Sequence, residues 1–292
     1  MDESASELRT FASDHWPDVD WTGAVITSGA FHTVITPPDG PIARITTGTG
    51  FAGRTEREAG ILRTFAGSGT SIPLPRLLDG PHHRDRWSAV LITRVPGRSD
   101  PADLEEVRGA SYRTVLDAFA QLDPSQDMAL PEPRSWCGGR QWPALVSAEL
   151  VPLLPTSARG AARDRIEEVI ITEQDAVPAV CHGDFGPHNL LWDVDGRVAG
   201  VFDLDHACVG DPAIDLAPLI GFHGADAVAP LCSAEVLARA MTHRATLSLQ
   251  VAAAAQLAGS TDLRDHALRN FSDRHDRGTL FDPNGRRSPI RG

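Results

Sequence analysis

The stretch CHGDFGPHN, residues 181–189, sets His182, Asp184, His188 and Asn189 in one short loop, and Asp203 follows near the end of RVAGVFDLD (197–205). Carboxylates and an amide oxygen are hard donors of the kind Mg²⁺ prefers. A Mg²⁺ ion held by few protein ligands completes its shell with water and phosphate oxygens, while an aspartate beside it can accept or orient a hydroxyl. Transfer of a phosphoryl group to an alcohol needs that combination. Taken alone, H-G-D-x-x-x-x-N is also ordinary loop grammar, because Gly, Asp and Asn collect in turns.

The elements around these residues decide whether they meet. PAVC (178–181) reads as a short apolar strand that runs into the loop. LLWDV (190–194) is the next strand, Asp195-Gly196 a tight turn, and RVAGVFDLD the returning partner. The two ends of a hairpin lie side by side, so Asp184, Asn189 and Asp203 are expected to converge. Asp193-Val194-Asp195-Gly196 has the look of a calcium-loop fragment, but it lacks the closing glutamate and reads as the hairpin turn. His182, His188 and His206 have no second ligand at zinc spacing on a helix.

Upstream, GAVITSGAF (23–31), FHTVITP (31–37) and PIARI (41–45) read as strands, with PPDG (37–40) as a turn. RTEREAGILRTFAG (54–67) reads as a helix that ends at Gly67, and WSAVLITRV (87–95) as a further strand closed by Pro96-Gly97. His82-His83 read as part of a solvated loop. Helical patterns dominate from about residue 101, over 102–122, 158–170 and 233–271. The expected class is α+β. A small antiparallel-β half over residues 1–95 meets a larger, mainly helical half over 96–292 at a hinge about 93–97, with the tail 281–292 as loop or disordered.

The chain has 292 residues and is 41% hydrophobic, enough for one large domain or two smaller ones. Its formal charge of −12 opposes nucleic-acid binding and leaves room for cationic small molecules, although acidity also serves solubility alone. There is no lysine: all 27 basic residues are arginine. The four cysteines, none in a C-x-x-C pair, read as reduced thiols. MDESASELRT is no signal peptide, and no apolar run reaches the roughly 18 residues of a membrane span. A cytoplasmic monomer or weak dimer is expected, engaging neither nucleic acid nor membrane.

HGDFGPHNLLWD followed by GVFDLDHACVGDPAIDLA resembles the catalytic signature of the aminoglycoside phosphotransferase-like family, and the likeness extends over residues 22–260 or so. The resemblance implies a bilobal protein-kinase-like fold, ATP or GTP as donor, Mg²⁺, and a small-molecule hydroxyl as acceptor. Asp184 then stands at the catalytic base, and Asn189 and Asp203 at the metal ligands. His182 stands at a structural histidine. Asp211 is a loop acceptor, and Asp215 an acid at the positive end of a helix. TSGAFHTVI (27–35) resembles the phosphate loop, where the small residues Ser28, Gly29 and Ala30 let backbone N–H groups approach phosphates. Arg44 stands where protein kinases carry lysine, with Glu58 as its partner and Glu56 as the competing one. Arginine stays charged and reaches phosphate oxygens bidentately. Arg54 and Arg57 are the alternative cations. LITRVPG (91–97) resembles the hinge, with backbone groups near Thr93 and Val95 against the base.

The acceptor pocket is expected between the β island and the helices after residue 221. There His223, Asp226, Glu235, Asp262, Asp265, Asp273 and Asp276 would suit a cationic acceptor, or equally a solvated helix face. SGAFHTVI, ITRVPG and AELVPLLP (148–155) resemble stretches of enzymes that phosphorylate tuberactinomycin peptides such as viomycin and capreomycin. The implied function is Mg²⁺-dependent phosphorylation of a cationic antibiotic, tuberactinomycin or aminoglycoside, giving resistance. A macrolide phosphotransferase, or a kinase of an amino alcohol or sugar, is the alternative.

Overall fold

The computed structural model describes residues 3–29, 32–47, 51–99, 105–124 and 128–285. Ala30 lies outside them. Helix α1 (Glu3–His15) is followed by β1 (Val25–Ser28), β2 (His32–Thr36), β3 (Ile42–Thr47), α2 (Phe51–Ala66), β4 (Leu77–Arg84) and β5 (Trp87–Ile92). The strands form one antiparallel sheet in the order β1-β2-β3-β5-β4. Side chains alternate across a strand, and β3 uses both faces. Ala43 and Ile45 pack with Ala89 and Leu91 against Leu8, Phe11 and Ala12 of α1. Arg44, opposite Val34 and Val90, therefore points to the other face, toward α2 and the helical half.

Two elements depart from the sequence reading. Helix α1 carries Leu8, Phe11 and Ala12 at the spacing of a buried helical stripe. Its flanks are polar, and only the outer face of the sheet gives that stripe something to cover. His82 and His83, read as a solvated loop, lie on β4, where His83 pairs with Ser88 and Arg84 with Trp87. An edge strand is half solvated, so a polar sequence is compatible with it.

The helical half contains α3 (Glu105–Ala120), α4 (Trp142–Leu145), α5 (Thr156–Glu173), α6 (Ala213–His223), α7 (Ala225–Val228), α8 (Ala234–Leu257) and α9 (Thr261–Asp276). Inside it sits the island β6 (Ala179–Cys181), β7 (Leu190–Trp192), β8 (Val198–Val201) and β9 (Cys208–Gly210). β7 and β8 form the expected hairpin, whereas β9, unforeseen, pairs with β6 and sets Cys208 opposite Cys181. The buried alanines 252–254 on α8 pack in one core with α5 and α9, since small side chains allow close approach. Among the described residues, no helix is long and apolar enough to cross a membrane.

The segment after β5 is stitched to the island. The backbones of Arg98 and Trp192 exchange two hydrogen bonds of 3.0 Å. A Cβ at Gly97, where φ is +115°, would lie 2.8 Å from Leu191 Cβ, so this crossing requires glycine. The two halves thus meet along β7 and β8, the strands that carry the site.

Candidate active site

A cleft of about 940 Å³ opens between the sheet and the helical half. The loop after β6 enters it. His182 is fully buried. Its Nε2 donates to the Phe202 carbonyl at 2.9 Å, which leaves Nδ1 to accept the Asp184 N–H at 3.3 Å. Asp215, in the first turn of α6, accepts the N–H groups of His182 and Gly183 at 2.8 and 2.7 Å. A Cβ at Gly183, with φ +85°, would fall 2.0 Å from the His206 carbonyl oxygen. Asp211 holds the next turn, accepting from Ala213 N–H at 3.0 Å and from Arg239 Nε at 2.8 Å.

This scaffold presents Asp184 to the cleft with 39% of its side chain exposed. Asn189 Nδ2 donates to the Asp184 carbonyl at 2.9 Å, and His188 Nε2 stands 3.4 Å from Oδ2. Burial pushes the carboxyl up, but the His188 hydrogen bond and the charges of His206, His188 and His182 outweigh it and hold it at about 2. Asp184 is therefore ionised and able to accept a hydrogen bond.

Leu190 and Val201 form the first rung of the hairpin, so Asn189 and Asp203 lie at its open end, where the Phe202 N–H donates to the Asn189 carbonyl at 3.1 Å. Asp203 leaves the strand at φ 62°, ψ 58°. The left-handed region costs a non-glycine residue roughly 1–2 kcal/mol, and here it turns the carboxylate, 41% exposed, toward the cleft. Asp184, Asn189 and Asp203 come together as a set of oxygen donors. The Asn189 amide nitrogen is engaged by Asp184, which leaves its oxygen for a cation. This donor set fits Mg²⁺.

Arg44 faces the same place from the sheet. Its Nε lies 3.0 Å from Glu58 Oε1, and its Nη2 lies 3.0 Å from both Asp203 Oδ1 and Asp205 Oδ2. Burial disfavours the charged guanidinium, but Asp205, Glu58 and Asp203 together raise its pKa above the ordinary arginine value. Glu58 is pushed up by its own burial, against the pull of Arg44. Glu56 points elsewhere and meets His83 at 3.1 Å. Two members of this cluster were missed in the sequence. Asp205 repeats the acid of FDLD two residues on. His32, whose Nε2 is 3.1 Å from Asp205 Oδ2, gives no sequence signal, because its partners Asp205 and Glu58 come from two distant segments.

Ser28 and Gly29 line the cleft, and the Gly29 N–H closes the β1–β2 turn onto the His32 carbonyl at 2.8 Å. Ala30 lies outside the described residues. Thr93 and Val95 also line the cleft. The Thr93 N–H donates to the Arg76 carbonyl at 2.9 Å and is not free to face the cleft. The acids expected around the acceptor do not reach the cleft. Glu235 pairs with Arg239, Asp265 pairs with Arg264, and the cleft wall on α8 and α9 is Leu247, Val251 and Leu263.

Residues 35–249 match the phosphotransferase enzyme family. Viomycin phosphotransferase of Streptomyces vinaceus is 31% identical over 219 residues, 69% of this chain and 74% of that protein. The fold superimposes on aminoglycoside 2'-phosphotransferase-IIIa in its GDP complex with a TM-score of 0.74 at 14% identity, covering 94% of this chain and 99% of the other. Macrolide 2'-phosphotransferase type I gives 0.66 at 18% identity, covering 93% and 97%. The architecture is the kinase-like fold of the aminoglycoside phosphotransferases. A family match that begins inside β2, takes in Arg44, Glu58, Asp184, Asn189 and Asp203 and ends in α8 covers most of the chain, and the chain belongs to the phosphotransferase enzyme family.

Proposed function

We propose that this chain transfers the γ-phosphoryl group of ATP or GTP to a hydroxyl of an antibiotic. The meeting of Asp184, Asn189 and Asp203 at the open end of one hairpin, across the cleft from Arg44, carries this reading. Asp184 is ionised and accepts the hydrogen bond of the acceptor hydroxyl, orienting its oxygen and receiving its proton. Asn189 and Asp203 would hold Mg²⁺, which neutralises phosphate charge when bound. Arg44, fixed by Glu58, would bring a permanent guanidinium charge to the phosphate oxygens. The Ser28–Gly29 turn would lie over the phosphates, its small residues allowing close approach of the backbone, and the Thr93 carbonyl and Val95 amide would read the base at a hinge over 93–97 that joins lobes 1–95 and 96–292. The GDP bound in the aminoglycoside enzyme of the same fold supports a nucleotide here.

The relationship to viomycin phosphotransferase supports a tuberactinomycin-type cationic peptide as acceptor. A macrolide is the second reading, favoured by the apolar wall of the cleft. The test is phosphate transfer from labelled ATP and GTP to viomycin and to a macrolide by the purified chain. Asp184→Asn should lower kcat by about 10²–10⁴-fold, the usual contribution of a positioned base, with nucleotide affinity retained. Near-normal kcat in that variant would overturn the assignment.

A further inference from the structure

Beyond Asp184 the cleft continues to a wall formed by Trp136, Pro218, Leu247, Val251 and Leu263. Leu247 and Val251 stand one turn apart on α8, and Leu263 lines the same cleft from α9. Trp136 lies flat on His206, with ring centroids 4.5 Å apart and planes 15° from parallel. His206 shares the loop of Asp203 and Asp205, so the stack joins this wall to the phosphate end. Trp136, Leu247, Val251 and Leu263 are each only half-buried, so apolar area remains open to the cleft.

Charge is distributed the other way. Asp203 and Asp205 are engaged by Arg44 at the phosphate end. Glu235 and Asp265 are engaged by arginines on their own helices, and Asp262, Asp273 and Asp276 are exposed away from the cleft. Of the four carboxylates among the described lining residues, Glu58, Asp203 and Asp205 gather on Arg44, and Asp184 stands outside that cluster.

We infer that the acceptor is held by its apolar ring face on the wall of Trp136, Leu247, Val251 and Leu263, and that Trp136 is a specificity-determining residue for this acceptor class. The inference rests on the phosphoryl-transfer reading and, of its two acceptors, takes the macrolide-type ring over the cationic peptide. It assigns a hydroxylated ring compound whose hydroxyl projects from an apolar face toward Asp184, and it gives acceptor charge a minor part in binding. Burial of apolar surface on binding has a robust mark, a negative heat-capacity change. Attraction between exposed charges has a different one, loss of affinity as salt screens it.

The test uses the full chain and three probes: a hydroxylated macrolactone antibiotic, viomycin and an aminoglycoside. Calorimetry at several temperatures and two salt concentrations, together with steady-state kinetics, is run on the wild type, Trp136→Ala, Trp136→Phe and Leu263→Asp. The acceptor with the highest kcat/KM should bind with a negative heat-capacity change and little salt dependence. Its KM should rise about 10-fold or more in Trp136→Ala and Leu263→Asp, the scale of losing one large aromatic or aliphatic anchor. Trp136→Phe should recover most of the loss, and the nucleotide KM serves as the internal control for a collapsed cleft. Three results would overturn the inference: a best acceptor whose affinity falls steeply with salt, an acceptor KM indifferent to both wall variants, or binding of none of the three probes. Acceptor-independent nucleotide hydrolysis and nucleotide binding by the unaltered chain test the phosphoryl-transfer reading separately, so failure of one is distinguishable from failure of the other.

Discussion

Removing Arg44 should unbalance the cleft more than any other single truncation. Arg44 is 8% exposed, and its guanidinium is shared by Glu58, Asp203 and Asp205, each at 3.0 Å. Arg44→Ala leaves three carboxylates facing one another, with Glu58 only 3% exposed. Stripping one partner from a buried pair costs about 3–5 kcal/mol. In a chain of this size that corresponds to a fall in Tm of roughly 6–20 °C, at about 2–4 °C per kcal/mol. Glu58→Gln is not its mirror image. It removes one acid from an acid-rich cluster and leaves Arg44 two carboxylates, so the expected loss is about 1.5–3 kcal/mol, that of one charged hydrogen bond. The two changes should couple by about 1–3 kcal/mol, since contacting residues depart from additivity by that much. In function, Arg44→Ala should raise the nucleotide KM and lower kcat/KM by about 10²–10³-fold, the scale of losing one preorganised donor to developing charge. Arg44→Lys should keep part of the activity, because charge survives while the planar fork is lost. Denaturant melts and nucleotide kinetics on the four proteins of the cycle decide the matter. Additivity within about 0.5 kcal/mol would mean that the two side chains do not meet, and the cation on the phosphates would then be sought at Arg54 or Arg57. Glu56→Ala, which removes an exposed partner of His83, is the control and should be nearly silent.

Three further expectations follow from the same geometry. Asp203→Asn should weaken Mg²⁺-dependent nucleotide binding by at least the roughly 10–100-fold that loss of an outer-shell partner costs a metal site; unchanged Mg²⁺-dependent affinity by titration would remove Asp203 from the metal. Gly183→Ala forces a Cβ to within 2.0 Å of the His206 carbonyl at φ +85°, so it should cost well over about 1 kcal/mol in stability and about 10²-fold in kcat by displacing Asp184; a stable, active variant would show that the loop is not clamped. Burial raises the Asp211 carboxyl, but hydrogen bonds from His243 and Arg239 outweigh it and hold it at about 2 against an ordinary 3.8. A carboxyl depressed in the folded state stabilises above its unfolded value and loses that contribution as pH falls through the folded one. The stability gap between wild type and Asp211→Asn should therefore narrow by about 2 kcal/mol between pH 5 and pH 2, at about 1.36 kcal/mol per unit, and a gap constant over that window would contradict the account.

The hairpin β7–β8 and its cargo were legible in the sequence because every signal there is local. Asp195-Gly196 dictates a tight turn, alternation dictates the strands, and the ends of a hairpin must lie together, so Asp184, Asn189 and Asp203 could be brought to one place without knowledge of the fold. The strand around Arg44 was legible for the same reason, and its β-branched neighbours fixed which side chains share a face. What the sequence could not settle depends on surfaces distant along the chain. Helix α1 exists because the sheet has a second face to cover, and β4 because an edge strand borrows its ladder from β5. Glu58 rather than Glu56 meets Arg44 because the rotation of α2 against β3 buries one and leaves the other in solvent, a choice that two residues of helical spacing leave open. Asp205 joins Arg44 and His32 only across the cleft. The acids of the C-terminal helices had suggested a polar acceptor pocket, yet the packing of α8 against α9 turns Leu247, Val251 and Leu263 into the cleft and the carboxylates out to water. Helical periodicity separates an apolar face from a charged one, but which face a cleft receives is decided by the partner that covers the rest of the helix.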